Sequence, residues 1–185
     1  MIFDLPTALA FGGREWAIDP DYRQVLRILQ AYEDPNLSDG EKVRITLYNL
    51  YADAGEIPPE QTQAAFDAAL AFIDHGAQSG TPAPRTMDWT QDAPLIFPAV
   101  NRAAGFEVRS VGFMHWWTFM GLFMEIRDST YSTVLALRHK KYRGKKLEKH
   151  EAEFWRQNKA ICEIKRRYTD AEQAQIDQYK KILGG

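Results

Sequence analysis

The sequence predicts a mainly α protein, with an N-terminal β-hairpin plus helical bundle followed by a helical C-terminal half around a central aromatic helix. Three observations support this prediction: a Gly-Gly turn, apolar residues at helical spacing behind recognisable N-caps, and a short apolar segment from Phe113 to Met124. The chain has 185 residues, 45% of them hydrophobic, which suffices for one core or two small ones. We expect a hairpin plus three-helix region over 1–75, a Gly/Pro linker over 76–90 and a helical region over 91–185.

The hairpin is predicted from Thr7 to Ile18. Gly12-Gly13 lies at its centre, and two glycines readily adopt the positive φ angles that a two-residue turn requires. In this register Leu9 faces Trp16, with Phe11 on the same side. One face of the hairpin is therefore apolar, and it should pack on the helices that follow.

Three helices are predicted after the hairpin, each from its N-terminal signal. Asp19 is the expected N-cap of the first, with Pro20 at the first helical position. Ser38 and Glu41 form a capping box for the second, and Pro58 or Pro59 starts the third. The core-facing residues at helical spacing are Tyr22, Val25, Leu26 and Leu29 in the first helix, Val43, Leu47, Leu50 and Tyr51 in the second, and Phe66, Leu70 and Ile73 in the third.

A stretch rich in glycine and proline, residues 76–88, then interrupts the helical pattern and predicts the linker. A fourth helix is expected over residues 91–104. Pro94 should lie in its opening turn, Pro98 should start or kink a segment, and Gly105 should end it.

The segment from Phe113 to Met124 is strongly apolar, yet shorter than the roughly 20 residues needed to cross a bilayer. It must therefore be buried against protein, either in the chain's own core or against a partner. On a helix, one stripe consists of Phe113, Trp117, Met120 and Met124, and another of Trp116, Phe119, Phe123 and Ile126. The candidate partner-binding residues are Phe113, His115, Trp116, Trp117, Met120 and Met124.

Three further helices are predicted in the C-terminal part, over 130–142, 147–168 and 171–183. The middle helix would carry an apolar residue at every seventh position, which favours packing on a neighbouring helix. These residues are Phe154, Ile161 and Tyr168.

Charge is unevenly distributed along the chain. Residues 1–105 contain seven Lys and Arg against fifteen Asp and Glu, a net charge of −8, whereas residues 106–185 contain sixteen against ten, a net charge of +6. This asymmetry favours contact between the two halves, head-to-tail association or separate partners for each half.

The densest positive charge lies in a turn between two predicted helices. It is interpreted as a solvated corner, a nucleic-acid contact or a contact for an acidic protein surface. The residues of this basic patch are Arg138, Lys140, Lys141, Arg143, Lys145, Lys146 and Lys149.

Motifs of enzymatic chemistry are missing from the sequence. His150-Glu151 lacks the second histidine of a zinc protease helix, because Phe154 stands at that position, and no glycine-rich phosphate or dinucleotide loop is present. Cys162 is the single cysteine, and its place beside Ile161 indicates a buried apolar residue. We therefore expect no catalytic residues, no metal site and no cofactor, hence a protein that is not an enzyme.

The pattern resembles a family of small tailed-phage proteins, the gene-product-fifteen family of siphophages and prophages. The resemblance rests chiefly on His115-Trp116-Trp117, followed by an aromatic-rich helix, a basic Tyr-Arg turn at Tyr142-Arg143 and a final lysine-rich helix. Leu5-Pro6 and Ile18-Asp19 also fit this resemblance. Ala104 to Glu107 matches only loosely the turn that the family has before its His-Trp-Trp segment.

The resemblance implies a function in tail assembly. Members are usually encoded near the tail tube and tape measure genes and are taken to act like tail assembly chaperones. We therefore expect a helper that binds the tape measure protein and/or the tail tube protein in the host bacterial cytoplasm. A structural tail component retained in the virion and a nucleic-acid-binding accessory protein remain alternatives. A homo-oligomer is compatible with each of these three functions, and no membrane association is expected.

Overall fold

The computed structural model describes residues 4–75 and 85–183, which form an antiparallel hairpin and nine α-helices. The predicted mainly α fold is confirmed. Within the predicted linker, residues 76–84 lie outside the described residues, and a helix begins at Trp89. The strands are β1 Ala8–Phe11 and β2 Arg14–Ala17; the helices are α1 Tyr22–Glu33, α2 Asp39–Leu50, α3 Thr62–Ile73, α4 Trp89–Ala104, α5 Trp116–Met124, α6 Thr130–Tyr142, α7 Lys149–Gln157, α8 Lys159–Cys162 and α9 Asp170–Ile182.

The hairpin has the predicted register, with Leu9 opposite Trp16. Gly12 and Gly13 adopt φ angles of 58° and 80°, which only glycine reaches without steric cost. Phe11 and Trp16 stack with 5.1 Å between their ring centroids and are both buried. The apolar face of the hairpin is therefore part of the core, as predicted.

The first helix begins two residues later than predicted. Asp21, and not Asp19, is the N-cap, since its carboxylate accepts a hydrogen bond from the Arg23 N–H. The preceding backbone is extended because it pairs with the chain that leads into α5: the Trp116 N–H donates to the Pro20 carbonyl over 2.7 Å, and the Tyr22 N–H donates to the Met114 carbonyl over 2.9 Å. A contact distant in sequence overrides the local Asp-Pro signal.

Helix α2 has the predicted capping box, in which the Ser38 hydroxyl accepts from the Glu41 N–H and the Glu41 carboxylate accepts from the Ser38 N–H. Helix α3 follows a single 3-10 turn at Pro59–Gln61. Its Ile73 is buried as predicted, but Phe66 and Leu70 are only half-buried. The buried side of α3 is shifted towards the small residues Ala65 and Ala69, together with Phe72.

Helix α4 is longer than predicted and contains both prolines. Asp88 caps its N-terminus, and Gly105, with a φ of 78°, ends it as predicted. The expectation that Pro94 lies in the opening turn is wrong, because Pro94 is the sixth residue of α4, and Pro98 does not start a segment, since one helix runs through both prolines. Both rings lie on the exposed side, where water can donate to the carbonyl groups that lose a helical partner.

One hydrophobic core joins the two halves of the chain. Trp116 of α5 is buried, and its indole N–H donates to the Ile73 carbonyl at the end of α3 over 2.9 Å. Phe119 stacks on Tyr22 of α1, with 4.6 Å between the ring centroids, and both are buried. Helix α5 therefore packs between elements from both halves, in the central position that the sequence predicts.

The predicted helix over residues 147–168 is wrong. The chain forms the separate helices α7 and α8 and then has no regular structure from Glu163 to Tyr168. Phe154, Ile161 and Tyr168 consequently do not lie along one helix. The prediction for the last helix, residues 171–183, agrees with α9 to within one residue at each end.

The break after Cys162 is stabilised by Arg138 of α6. Its guanidinium donates to the carbonyls of Ile161 and Cys162 over 2.8 and 2.9 Å, and in a continuous helix these carbonyls would accept backbone N–H groups instead. The same guanidinium forms a bidentate ion pair with Asp92 of α4, at 2.7 and 2.8 Å. Both residues are buried. Arg138 therefore connects α4, α6 and the C-terminal segment.

We predict that Arg138→Met lowers the free energy of unfolding by about 3–5 kcal/mol, because it leaves the Asp92 carboxylate buried without its partner. Urea unfolding followed by circular dichroism measures the change. Arg143→Met is the matched control, since Arg143 is exposed one turn further along, and its expected effect is within about 0.5 kcal/mol. Equal effects of the two substitutions would contradict this account of Arg138.

Candidate binding groove

The aromatic segment is divided between the core and the surface. Trp116 and His115 are buried, Trp117 and Met120 are half-buried, and the two ends of the segment are exposed, Phe113 by 59% and Met124 by 72%. The segment therefore does not offer one continuous apolar surface. Of the candidate partner-binding residues, Phe113 and Met124 are fully available to a partner.

His115 has a structural role that uses both ring nitrogens. It is the N-cap of α5: its Nδ1 accepts the Trp117 N–H over 3.0 Å, so the ring proton lies on Nε2, which donates to the Pro6 carbonyl over 2.9 Å. The imidazole thus ties the start of α5 to the chain that leads into the hairpin. Neither nitrogen is left for a ligand.

The predicted basic patch is smaller than the sequence suggested. Arg138 is buried, as described above, and Lys140 is ion-paired with Glu151. Lys141 lies over the Trp155 ring, with Nζ 4.1 Å from its centroid, in a cation–π contact. In the part of the chain that the structure describes, no carboxylate lies within 4 Å of the four remaining cations. These are Arg143, Lys145, Lys146 and Lys149, all exposed.

An apolar depression lies between α1 and α4, and we call it the α1–α4 groove. It has a volume of about 260 Å³. Its lining is mainly apolar, with three arginines among its residues. The lining residues are Tyr22, Arg23, Leu26, Arg27 and Gln30 of α1, Trp89, Ala93, Ile96 and Phe97 of α4, and Arg109.

Two of the three arginines are neutralised by neighbouring carboxylates. Arg23 pairs with Asp21 at 2.9 Å, and Arg109 pairs with Glu107 at 2.7 Å. The hydrogen bonds from Arg109 lower the pKa of Glu107 to about 2, so this pair is ionised at neutral pH. Among the described residues, Arg27 has no carboxylate within 4 Å and donates only to the Gln24 amide oxygen. It is the uncompensated charge of the groove.

The groove continues towards Phe113. A second shallow depression, lined in part by Gly112 and Phe113, shares Arg23 and Arg27 with it. The exposed Phe113 ring therefore lies on the same surface as the α1–α4 groove. Because Asp19 and Asp21 also line the second depression, an extended ligand that contacts both would need polar groups at this end.

A polar network closes the other end of the groove at Trp89. Glu33 accepts the Trp89 N–H over 2.8 Å and pairs with Arg167 at 3.0 Å, while Arg167 also pairs with Asp88 at 2.8 Å. Burial raises the pKa of Glu33. Burial also acts to raise the pKa of Asp88, but the Gln91 N–H and the Arg167 guanidinium outweigh it, so the pKa of Asp88 is lowered.

Sequence reasoning missed this groove. Arg23, Arg27 and Gln30 follow each other at spacings of four and three residues on α1, which places them on one helix face, but they are polar and gave no signal of a groove; Leu26 was predicted only as a core-facing residue. Phe97 and Ala93 lie at the corresponding spacing on α4. The two faces meet only in the tertiary structure, so neither helix alone reveals the groove.

The described part of the groove combines an apolar lining with one free cation, an arrangement that suits binding. Across residues 4–75 and 85–183, no group of three or more His, Cys, Asp and Glu side chains is placed to hold a metal ion. Cys162 is buried, and burial raises the pKa of its thiol. None of the helices in these ranges is long and apolar enough to cross a membrane.

Fold and groove together define a class: a mainly α protein with a surface groove suited to an amphipathic segment. A sequence model of the family described as "Bacteriophage Gp15 protein" matches residues 2–164. The chain belongs to this bacteriophage family, and the predicted resemblance is confirmed. Searches of curated proteins and of solved structures gave no match. Helix α9 lies beyond the matched residues.

We predict that Asp88→Asn destabilises the protein by about 1–3 kcal/mol at pH 7, because it removes charge-assisted hydrogen bonds. The folded-state pKa of Asp88 lies below its unfolded value of about 3.9, so its stabilisation is present above pH 4 and is lost as the pH falls through the folded-state pKa. The wild type and the variant should therefore converge in stability as the pH falls below the folded-state pKa of Asp88.

Urea unfolding at several pH values between 2.5 and 7 measures this difference. Asp67→Asn on the exposed side of α3 is the control, with an expected effect within about 0.5 kcal/mol at every pH. A stability difference between wild type and Asp88→Asn that does not depend on pH would refute the assignment.

Proposed function

We propose that this phage protein is a non-enzymatic tail assembly factor that binds the tape measure protein and/or the tail tube protein in the host cytoplasm. Membership of the bacteriophage family supports a function in the phage cycle. The observation that carries the proposal further is the α1–α4 groove with Phe113 beside it.

The groove suits a helical partner for two reasons. Its walls expose parts of Leu26, Phe97 and Trp89, so an apolar side chain that enters it gains burial worth about 25 cal/mol per Å². Its rim carries the uncompensated Arg27, which favours a carboxylate on the partner. An amphipathic helix with one acidic residue beside its apolar stripe meets both requirements.

The alternative is that the protein is a structural tail component retained in the virion, in which case the α1–α4 groove would belong to a permanent interface. Mass spectrometry of purified particles separates the two: an assembly factor is absent from mature particles, whereas a structural component is present in stoichiometric amount.

A nucleic-acid-binding role is favoured by one observation, the exposed cluster of Arg143, Lys145, Lys146 and Lys149. Binding through these residues would weaken steeply with salt, with a slope that falls when one of them is removed. Absence of oligonucleotide binding at 50 mM salt would exclude it.

We predict that co-expression of the chain with the tape measure or tail tube protein of the same phage yields a complex that co-purifies. Leu26→Glu and Arg27→Glu should each weaken that complex at least about tenfold, which corresponds to about 1.4 kcal/mol. The first places a charge in the apolar wall, and the second reverses the free charge of the rim.

Matched controls exist on α2, where Tyr48 and Arg44 are exposed. Tyr48→Glu and Arg44→Glu introduce the same charges and should leave the complex unchanged. Because Leu26 is half-buried, circular dichroism must show that its variant folds; Arg27 is exposed, so its variant tests the groove even if Leu26→Glu does not fold. No complex with either phage protein, or equal loss in variants and controls, would contradict the proposal.

A further inference from the structure

Helix α9 is the least tightly packed element among the described residues. Hydrogen bonds between Asp170 and Asn36, at 2.9 and 3.3 Å, hold its first residue at the loop that follows α1. Beyond this attachment its side chains are exposed, apart from the half-buried Ile176. Its start is nevertheless well defined, by a capping box between Thr169 and Glu172.

The exposed surface of α9 includes an apolar stripe. Ile176, Tyr179 and Leu183 follow each other at spacings of three and four residues and so share one face, with Ile182 beside them. Tyr179 is 66% exposed, Ile182 71% and Leu183 83%. A helix with such a stripe gains stability when the stripe is covered by protein.

The α1–α4 groove is complementary to this stripe in shape and charge. The groove is apolar with the free cation Arg27 at its rim, whereas α9 carries Asp170 and Glu172 in its first turn and Lys180 and Lys181 in its last, so the acidic N-terminal end of α9 is the end that suits Arg27. The thirteen residues of α9 span about 20 Å, longer than the roughly 12 Å between Tyr22 and Gln30 along the groove. No residue of α9 lines the groove of its own chain.

We propose that α9 of one copy occupies the α1–α4 groove of a second copy, and that α9 of the second copy occupies the groove of the first, in a symmetric dimer. The exchange creates two equivalent helix-in-groove contacts. One short helix covers less than the roughly 1,600 Å² of a standard interface, and the reciprocal arrangement doubles the buried area. The inference rests on the proposed function in one respect: both assign the α1–α4 groove to an amphipathic helix. The dimer itself requires no phage partner.

Sedimentation velocity of the full chain tests the dimer, at concentrations from about 5 to 500 μM. The wild type should shift from monomer to dimer over this range. Tyr179→Glu in the stripe and Arg27→Glu at the groove should each raise the dimer dissociation constant at least tenfold, while Tyr48→Glu and Arg44→Glu should leave it unchanged. Both test residues are exposed, so neither variant is expected to unfold the chain.

A cross-linking experiment locates the contact. Gln175 lies at the edge of the stripe and Gln30 lines the groove, and both are exposed, whereas the single native thiol, Cys162, is buried. A short bis-maleimide should join Gln175→Cys of one copy to Gln30→Cys of another when the two variants are mixed. Neither variant alone should give a cross-linked dimer in comparable yield.

Three results would overturn the proposal. They are a wild type that stays monomeric at 500 μM, a dimer that survives Arg27→Glu, and efficient cross-linking of Gln175→Cys with itself, which would show α9 paired with α9. The proposed function is judged separately, because Tyr179→Glu alters self-association while leaving the groove intact for a phage partner. Loss of the dimer with retained partner binding supports both proposals, and a dimer without any partner binding contradicts the proposed function alone.

Discussion

The buried ion pair between Arg138 and Asp92 is the constraint on which the C-terminal half depends. Removing both charges from water costs several kcal/mol per ion, and the cost is offset only when every donor and acceptor is satisfied. Arg138 meets this condition, because it donates to Asp92 and to the carbonyls of Thr86, Ile161 and Cys162. The end of α8 and the start of α4 are therefore fixed by one guanidinium. The irregular segment that follows Cys162 is a consequence of that geometry.

The same pairing explains part of the charge asymmetry. The C-terminal cations Arg138 and Arg167 are paired with Asp92, Asp88 and Glu33 from the acidic half, so contact between the two halves accounts for some of the opposite charges. Asp88 also donates its own backbone N–H to the Asp92 carboxylate over 3.0 Å, which joins the two ion pairs into one network.

Local signals in the sequence predicted the elements that depend on local interactions. The Gly12-Gly13 turn, the Ser38–Glu41 capping box and the Gly105 stop lie where expected, because each satisfies neighbouring backbone groups. The errors occur where a distant partner replaces a local one: the chain before α5 at Pro20 and Arg138 at Cys162. The groove was missed for the same reason, since its two walls are at least 59 residues apart in sequence, from Gln30 to Trp89.

Residues of the aromatic segment pack beneath the α1–α4 groove and support its lining. Phe119 stacks against Tyr22 and lies 6.3 Å from the Phe97 ring, and both Tyr22 and Phe97 line the groove. Trp116 in turn lies 5.9 Å from Phe119 and is held by the Ile73 carbonyl. Trp116 and Phe119 thus support the groove from below without lining it. A change in Trp116 or Phe119 would therefore move Tyr22 and Phe97 and alter the shape of the groove, although neither residue lines it.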